Sequence, residues 1–595
     1  MSKTEQTVTS KAAYWSTSAD FDQATRQEIA ALIAQGNTKE LTERFYRDLE
    51  FGTGGLRGIL GAGTNRMNIF NVRKATTALA THLKAAFPGE ALTVAISHDS
   101  RHFSRDFAKA TAEILAAQGI RSILTKALRP VPMLSFMTRH YSCHAGVCVT
   151  ASHNPPEYNG YKVYWRSGGQ LVPPHDHEII KAYGAIDGYS NLKALPYAEI
   201  LASGQAREVG DEFDEAYFAR VKALSMRNTG RQGFKIVYSP LHGAGRYPVA
   251  EMLKRFGFQD VTVVPEQEQP DGAFPTVTSP NPENPAAMDM ARALGMKLGA
   301  DLILATDPDC DRIGMEILVD GRYVRPNGNQ IGCLLNDYVL KSLTELNRMP
   351  TSPLVIKTVV TTDLQADLAA EYGATCEETL TGFKWICNQI EGYETGLLKP
   401  YRKFVCGGEE SYGFLMDAFV RDKDAVISCC LAAEMVAHYK SEGRSVVTAL
   451  DAIFTRHGVY HETLADITLP GKEGAEKISA MMAGLRQHPP REIDGMPVQK
   501  LRDFDKRQDF EALHGEFKAT QSIPLPQSNV LQFILNDGTK ISVRPSGTEP
   551  KIKFYVSVKD LAGKGKNGAA LGQVKARCEA RAKRIEDIFV AMARG

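Results

Sequence analysis

The sequence lacks an excess of charge of either sign. Its 595 residues include 70 lysines and arginines against 69 aspartates and glutamates, so the formal net charge is +1. A chain this close to neutrality presents no broad positive field to nucleic acid or to an anionic membrane. We therefore expect neither as a partner, and any anion that the protein binds must be held by local groups.

Long apolar segments and metal-type cysteine pairs are also missing. The longest apolar run, residues 425–433, is far shorter than the roughly 20 residues that span a bilayer. The ten cysteines are scattered, without a C-x-x-C pair or a Cys/His ligand spacing. The polar stretch Met1–Lys11 has no apolar core, which argues against a secretory signal and predicts a short loose tail. Together these features predict reduced thiols and a cytoplasmic protein.

The composition that is present is that of a globular protein with several hydrophobic cores. Hydrophobic residues make up 43% of the chain and charged residues 23%, both ordinary values. Short apolar strands repeatedly end in loops rich in glycine, proline or small polar residues, and helical patterns follow. This alternation is typical of α/β layers, in which ligands bind beyond the carboxyl ends of the strands.

The length allows three to five domains at roughly 100–200 residues each, and the organisation of the chain places boundaries near residues 226, 326 and 458. The predicted spans are residues 1–226, 227–326, 327–458 and 459–595. The last span differs from the others, since it contains an Asp537-Gly538 hairpin turn and a long final helix, and it is predicted to be α+β.

Three carboxylates alternate in the loop Asp307-Pro308-Asp309-Cys310-Asp311, directly after a predicted strand. If the loop curls, all three can face one point and offer the oxygen ligands that Mg²⁺ prefers. The spacing resembles the start of an EF-hand, but no glycine stands at the sixth loop position and no helix precedes it. Taken alone, the loop is equally compatible with a solvated acidic turn.

A serine flanked by a histidine lies in the segment Thr150–Pro155. Serine must be activated to act as a nucleophile, and the G-x-S-x-G elbow of a hydrolase is absent here. Arg544–Lys551 combines a guanidinium, hydroxyls and a glycine, the groups that grip a phosphate monoester. Each segment taken alone is also compatible with an ordinary turn.

Three further segments offer groups for a sugar phosphate. Gly408–Gly413 places carboxylates and a hydroxyl at a strand end, and Leu380–Trp385 offers an aromatic surface with a lysine. Phe51–Gly58 is rich in glycine with one arginine, but it matches neither a P-loop nor a dinucleotide fingerprint. None of these segments identifies a function alone.

Taken together and in order, the motifs resemble those of the α-D-phosphohexomutase superfamily, specifically its phosphoglucomutase-like branch. The resemblance spans residues from about 51 to 555, nearly the whole chain. It depends on five segments: Phe51–Gly58, Thr150–Pro155, Asp307–Arg312, Gly408–Ser411 and Arg544–Lys551.

The resemblance implies a fold and a reaction. The implied fold is α/β with four domains around a central cleft: three similar α/β domains with mixed sheets and a smaller C-terminal α+β domain. Ser152 would carry a phosphate, pass it to the free hydroxyl of a glucose phosphate, and take back the other phosphate of the resulting bisphosphate. Mg²⁺ would be the cofactor, glucose 1,6-bisphosphate the activator and intermediate, and small sugar phosphates the partners.

The resemblance also assigns roles to single residues. The metal ligands would be Ser152, Asp307, Asp309 and Asp311. The catalytic set would be Ser152, Arg57, His153, Lys162 and Lys423. The substrate-binding set would be Arg312, Gly382, Lys384, Glu409, Ser411, Lys423, Arg544, Ser546, Gly547 and Thr548. The general base that takes the proton of the attacking hydroxyl stays open between Lys162, Lys423 and His153.

Glucose phosphates are the favoured substrates, and several alternative functions stay open. The Glu409–Gly413 loop lacks the histidine that follows it in the bifunctional phosphomannomutase branch, which weakens a mannose role. Leu380–Trp385 is shared with phosphopentomutase-like relatives, but Ser411 is retained. A phosphopentomutase, a broad-specificity phosphohexomutase, a glucose 1,6-bisphosphate synthase and a non-catalytic sugar-phosphate-binding relative are the alternatives. The last is disfavoured, because Ser152 and all three aspartates are present.

Overall fold

The computed structural model describes residues 3–52, 54–469, 471–514, 516–546 and 551–594. The strands are β1 (Gly55–Ile59), β2 (Thr93–His98), β3 (Arg121–Thr125), β4 (Ala145–Val149), β5 (Tyr158–Trp165), β6 (Ala206–Val209), β7 (Lys235–Ser239), β8 (Asp260–Val263), β9 (Leu302–Thr306), β10 (Ile313–Val319), β11 (Arg322–Val324), β12 (Pro353–Thr358), β13 (Thr375–Thr379), β14 (Lys403–Glu409), β15 (Gly413–Met416), β16 (Val459–Thr468), β17 (Glu492–Ile493), β18 (Met496–Asp503), β19 (Gln508–Leu513), β20 (Glu516–Ser522), β21 (Leu531–Leu535), β22 (Lys540–Pro545) and β23 (Lys551–Asp560).

Helices alternate with these strands over most of the chain. The α-helices are α1 (Lys3–Thr17), α2 (Gln23–Ala34), α3 (Thr38–Phe45), α4 (Ile69–Ala86), α5 (Ser104–Ala117), α6 (Val131–His140), α7 (His175–Ala185), α8 (Tyr197–Ala202), α9 (Asp211–Lys222), α10 (Arg246–Arg255), α11 (Pro265–Glu268), α12 (Asp289–Leu298), α13 (Gly328–Glu345), α14 (Leu364–Glu371), α15 (Phe383–Glu394), α16 (Ala425–Ser441), α17 (Val446–His457), α18 (Gly471–Gln487) and α19 (Gly568–Arg594). Within the described ranges, no helix combines the length and the apolar character that a membrane crossing needs.

The chain divides into two compact units. The first unit comprises Met1–Pro326, Phe383–Tyr401 and Ser411–Ser441, and the second comprises Asn327–Gly382, Arg402–Glu410 and Glu442–Gly595.

Two mixed sheets build the first unit. One has the strand order β1-β5-β4-β2-β3-β6, in which β2, β3, β4 and β6 are parallel and the β1–β5 and β5–β4 pairs are antiparallel. The other has the order β11-β10-β9-β7-β8, in which β7, β8 and β9 are parallel and the β9–β10 and β10–β11 pairs are antiparallel. Parallel strands buried under helices on both faces explain the continuous apolar runs in the sequence. β4 and β9 are buried throughout, and each ends in one of the candidate loops.

The second unit contains a parallel sheet and an antiparallel one. β12 pairs in parallel with both β13 and β14. The antiparallel sheet has the order β16-β23-β22-β21-β18-β19-β20, with β17 paired to β18, and α19 packs against β16 and β23. The Asp537-Gly538 turn joins β21 to β22 as predicted, since Leu531 lies opposite Val543. Three α/β parts and a C-terminal part made mostly of strands confirm the predicted fold class.

The predicted loose N-terminal tail is wrong. Lys3–Thr17 forms α1, whose Val8, Ala12 and Trp15 recur at helical spacing and are buried. Trp15 is 0% exposed, and its ring stacks on Phe21 at 4.1 Å between centroids. The polar composition of the N-terminus does not predict this packing, because much of the apolar surface that covers α1 comes from residues distant in the sequence. These are Ile29, Phe45, Ala62 and Phe70.

We predict that Trp15→Ala destabilises the N-terminal helices by about 3 kcal/mol or more, because it empties a fully buried aromatic site. Ile33→Ala is the control, since Ile33 is 43% exposed and its truncation is expected to cost less than about 1 kcal/mol. Calorimetric melting and limited proteolysis of the N-terminal segment measure both. Identical melting and cleavage of Trp15→Ala and wild type would contradict the packing described here.

Candidate active site

The three carboxylates of the Asp307–Asp311 loop converge on one point. Asp307, Asp309 and Asp311 are each at most 1% exposed, and one carboxylate oxygen from each lies within 4.8 Å of the others. Oδ1 of Asp309 and Oδ1 of Asp311 are buried and accept no hydrogen bond from any described residue. Buried oxygens without a donor need another positive partner. The set therefore fits a hard divalent cation such as Mg²⁺.

Neighbouring segments hold the backbone of this loop. The Pro308 carbonyl accepts from Ala244 N–H at 2.8 Å, and the Asp309 carbonyl accepts from Val131 N–H at 2.9 Å. Gly243 lies so close that a Cβ atom there would be 2.4 Å from Pro308 Cα. Cys310 adopts a left-handed φ of 53°, which turns the chain so that the carboxylates on both sides face inward. Main-chain contacts thus keep mutually repelling side chains together.

Ser152 lies next to these carboxylates, in the loop between β4 and β5. Its Oγ donates a hydrogen bond to Asp307 Oδ2 at 2.9 Å and lies 3.2 Å from His153 Nδ1. The residue is 3% exposed and has a left-handed φ of 53°. A non-glycine residue in this conformation stores strain, which is found most often at functional sites. The predicted nucleophile and the predicted metal ligands are therefore in direct contact.

Thr150 links the serine loop to the carboxylates, a role that sequence reasoning missed. Its hydroxyl accepts from Ser152 N–H at 2.9 Å and donates to Asp309 Oδ2 at 3.2 Å. Lys162 Nζ binds the same Asp309 oxygen at 2.8 Å. Because Oδ2 is occupied by these two donors, Oδ1 is the Asp309 oxygen left for a cation. The only sequence signal was the position of Thr150 in the serine motif.

Two lysines neutralise part of the negative charge. Lys162 Nζ lies 2.8 Å from Asp309 Oδ2 and 3.5 Å from Asp311 Oδ2. Lys423 Nζ lies 2.8 Å from Asp311 Oδ2. Gly413 makes room for the lysine stem, since a Cβ atom there would be 2.3 Å from Lys423 Cδ. Both predicted lysines thus belong to the carboxylate centre.

The ionisation of the centre reflects this arrangement. Burial raises the pKa of Asp307 well above its usual range, and repulsion by Asp311 and Asp309 raises it further. Burial also opposes ionisation of Asp311, but Lys423 and Lys162 outweigh it and hold the pKa of Asp311 below its usual range. Desolvation lowers the pKa of His153 well below its ordinary value, and the nearby Arg312 and Arg57 guanidiniums lower it further.

Both predicted arginines border this centre. Arg57 is exposed on β1, and its Nη1 donates to Asn154 Oδ1 at 3.3 Å. The Arg312 backbone N–H donates to Asp307 Oδ1 at 3.0 Å, and its guanidinium pairs with Glu283. Two guanidiniums next to the serine loop favour the binding of a phosphate group there.

Lys384 and Ser411 complete the predicted residues of the first unit. Lys384 Nζ lies 4.0 Å from Asp176 Oδ2 and 5.0 Å from the centroid of the Trp385 ring. Burial lowers the pKa of Lys384, and Asp176 partly opposes that shift. Ser411 is half-buried directly before Tyr412, another residue with left-handed φ.

The other predicted residues lie in the second unit. Gly382 N–H donates to Glu409 Oε1 at 2.8 Å, which joins two of the predicted sugar-binding positions. Arg544 lies near the end of β22, and Ser546 N–H donates to the Lys551 carbonyl at 2.8 Å. Gly547 and Thr548 lie outside the described residues.

Glu410 is a further acidic residue of the second unit that the predicted set did not include. Its Oε2 accepts hydrogen bonds from Thr361 Oγ1 at 2.9 Å and from Thr358 Oγ1 at 3.3 Å. Burial raises the pKa of Glu410, and the neighbouring Glu409 raises it further. These contacts join Glu410 to the Thr358–Thr361 segment, while Glu409 is the carboxylate predicted to bind ligand.

Comparison with known protein families assigns the chain to a class of enzyme. Models of four domains described as phosphoglucomutase/phosphomannomutase match the chain: alpha/beta/alpha domain I at residues 48–190, domain II at 215–317, domain III at 327–457 and the C-terminal domain at 496–564. The protein belongs to the phosphoglucomutase/phosphomannomutase family. The domain bounds predicted from the sequence stay a prediction.

Individual relatives agree with this assignment. A phosphoglucomutase of Staphylococcus epidermidis (strain ATCC 12228) is 36% identical over 523 residues, 88% of this chain and 92% of its own. One of Staphylococcus aureus (strain USA300) is 36% identical over 540 residues, 91% and 95% of the two chains. Among solved structures, a putative phosphomannomutase from Thermus thermophilus has a TM-score of 0.64 at 20% identity, covering 91% of this chain and 99% of its own. Parafusin from Paramecium, in its open form, has a TM-score of 0.65 at 18% identity, with 91% and 95% covered. These two structures show the fold.

We predict that Thr150→Val weakens metal binding by about 10- to 100-fold, because it removes the donor that orients Asp309. Thr150→Ser keeps the hydroxyl and is expected to bind metal as wild type does. Titration with Mn²⁺ by electron paramagnetic resonance measures the affinity independently of turnover. Equal Mn²⁺ affinity of the valine and serine variants would show that the hydroxyl does not orient the carboxylate.

Proposed function

We propose that the protein is a phosphoglucomutase that interconverts glucose 1-phosphate and glucose 6-phosphate. The observation that carries the proposal is the contact of Ser152 Oγ with Asp307, beside two buried carboxylate oxygens that accept no hydrogen bond from the described residues. The staphylococcal relatives are named phosphoglucomutases and match over most of their length, which supports the same substrate here.

Ser152 is the group that carries the phosphate in this proposal. The free hydroxyl of a glucose phosphate attacks the phosphorus of phospho-Ser152, the bond from phosphorus to Oγ breaks, and glucose 1,6-bisphosphate forms. The bisphosphate turns over, and Ser152 Oγ attacks its other phosphate, which returns the phosphoryl group to the enzyme. Phosphoryl transfer has a loose, charge-rich transition state, so positioning and electrostatics dominate its catalysis.

The residues around Ser152 suit this transfer. Mg²⁺ would be held by Asp307, Asp309, Asp311 and an oxygen on Ser152, and when bound it supplies positive charge to the phosphate oxygens. Arg57 and Arg312 add guanidinium donors at the edge of the loop.

Three side chains are candidates for transferring a proton to or from Ser152 Oγ or the substrate hydroxyl. His153 Nδ1 lies 3.2 Å from Ser152 Oγ, so it is the group placed to exchange a proton with that oxygen. Lys162 and Lys423 bind the carboxylates and are candidates for exchanging a proton with the substrate hydroxyl.

Recognition of the rest of the substrate is assigned to other residues. Glu409 and Ser411 would accept hydrogen bonds from sugar hydroxyls, with Gly382 N–H fixing the Glu409 carboxylate. Lys384, Arg544 and Ser546, together with Gly547 and Thr548, would hold the phosphate that does not react. A forked guanidinium with hydroxyl donors is suited to a phosphate monoester.

The test is kcat/KM with Mg²⁺ and a trace of glucose 1,6-bisphosphate, across the 1-phosphates of glucose, mannose, ribose and N-acetylglucosamine. The proposal expects glucose 1-phosphate to lead clearly. A lead for ribose or mannose would keep the phosphoserine reaction and change the substrate. Turnover of none would overturn the assignment.

We predict that Ser152→Ala abolishes turnover and phosphorylation by glucose 1,6-bisphosphate, because the acceptor oxygen is gone. The thermal midpoint is expected to stay near that of wild type, since the loss of one loop hydroxyl removes little packing. Intact-mass spectrometry detects the phosphoryl group directly. A phosphorylated Ser152→Ala enzyme with normal turnover would exclude Ser152 as the carrier.

A further inference from the structure

One buried arginine binds several main-chain carbonyls of the serine loop, the segment between β4 and β5, and of the first residue of β5. Arg101 lies in the loop after β2, and its side chain is 0% exposed. Its guanidinium donates to four carbonyl oxygens of residues 152–158: Nη1 donates to Pro155 O at 2.8 Å and Tyr158 O at 2.9 Å, and Nη2 donates to Ser152 O at 2.6 Å and to Asn154 O. Arg101 is not among the predicted catalytic, metal-binding or substrate-binding residues.

Arg101 is itself fixed in place. Asp99 Oδ2 lies 3.3 Å from Arg101 Nε, while Asp99 Oδ1 accepts from Arg101 N–H at 2.9 Å and from Ser104 Oγ at 2.7 Å. The guanidinium lies over the Phe274 ring at 4.9 Å. A buried ion pair of this kind stabilises a fold little on balance. Its use here is better explained by the geometry that it imposes on the serine loop.

The serine loop needs an external support. It contains Pro155 and Pro156, which have no N–H to donate, and Ser152 is held at a left-handed φ of 53°. Without Arg101, the Ser152 and Asn154 carbonyl oxygens would have no donor among the described residues, whereas Pro155 O also accepts from Tyr158 N–H at 3.1 Å. Leaving such carbonyl oxygens unpaired is costly where water is excluded. The guanidinium is planar and rigid with five donors, so it can bind several carbonyls at once.

We propose that Arg101 is a positioning residue that sets the place and orientation of Ser152 Oγ for phosphoryl transfer. Because the peptide unit is planar, fixing the Ser152 carbonyl also fixes the direction of the His153 N–H. The carbonyl oxygens carry partial negative charge, and binding them to Arg101 restricts how they can face a phosphate on Ser152. This inference rests on the proposed phosphoserine function, and Arg101 acts through Ser152 without touching substrate.

The test compares Arg101→Lys with Arg129→Lys. Lysine keeps the charge at position 101 but cannot bridge four carbonyls. Arg129 is the matched control, because it is also a mostly buried arginine of the first unit in a bidentate pair, with Asp214, and it does not bind the serine loop. Each substitution replaces a planar guanidinium, which can form two parallel hydrogen bonds, with a single ammonium group.

Three quantities are measured on each full-length variant. For Arg101→Lys we expect kcat to fall about 100-fold, the effect of a misplacement near 1 Å, with little change in KM. Phosphorylation of Ser152 by glucose 1,6-bisphosphate, followed by mass spectrometry, should slow by a similar factor. Amide exchange should accelerate at residues 152–160 and not elsewhere. Arg129→Lys should change none of the three.

The outcomes separate this inference from the proposed function. Wild type that is never phosphorylated on Ser152 would overturn both. Wild type and Arg101→Lys phosphorylated at equal rates, with equal exchange in the loop, would overturn the positioning role alone. A loss of activity matched by general unfolding and by a similar loss in Arg129→Lys would assign Arg101 a structural role instead. If Arg101→Lys does not fold, Asp99→Asn, which weakens the hold on Arg101, is measured in its place with the same criteria.

Discussion

The concentration of negative charge in the Asp307–Asp311 loop is the constraint on which the site depends. Three carboxylates with oxygens within 4.8 Å of one another repel strongly when they are buried. Lys162 and Lys423 offset part of that repulsion through contacts of 2.8 Å. Two carboxylate oxygens still accept no hydrogen bond within the described chain, so the arrangement suits an additional cation and the phosphate that such a cation attracts.

Strained backbone at the ends of strands places the reacting groups. Ser152, Cys310 and Tyr412 all have left-handed φ values, between 53° and 62°. The main chain of each loop is bound by residues outside it. Arg101 binds the serine loop, and Ala244 and Val131 bind the Asp307–Asp311 loop. Ile313 N–H donates to the Tyr412 carbonyl at 3.1 Å. Strain of this kind persists only where surrounding contacts over-determine the conformation.

In the proposed reaction, different residues act on the transferred phosphate and on the rest of the substrate. The first unit holds Ser152, the carboxylates and the cations that act on the transferred phosphate. The second unit holds Glu409 and Arg544, assigned to a sugar hydroxyl and to the phosphate that does not react. Contacts to remote parts of a substrate contribute to catalysis when they orient the reacting group, so recognition residues belong to the mechanism as much as the nucleophile does.

The sequence by itself determined the fold class, the strand-to-loop positions and the spacing of the three aspartates, because those signals are local in the chain, whereas the convergence of the aspartates on one point was decided by the folded loop. A carboxylate at every second position after an apolar strand, or a serine in Thr150–Pro155, can be recognised within a few residues. The structure of the N-terminus could not be predicted, since Trp15 meets Phe45 and Phe70 only in the folded chain. Only the tertiary structure decided that Lys423 binds Asp311, that Thr150 orients Asp309, and that Arg101 holds the serine loop. These partners are about 50 to 160 residues apart, and no spacing rule operates over such separations, because folding alone determines which distant side chains meet.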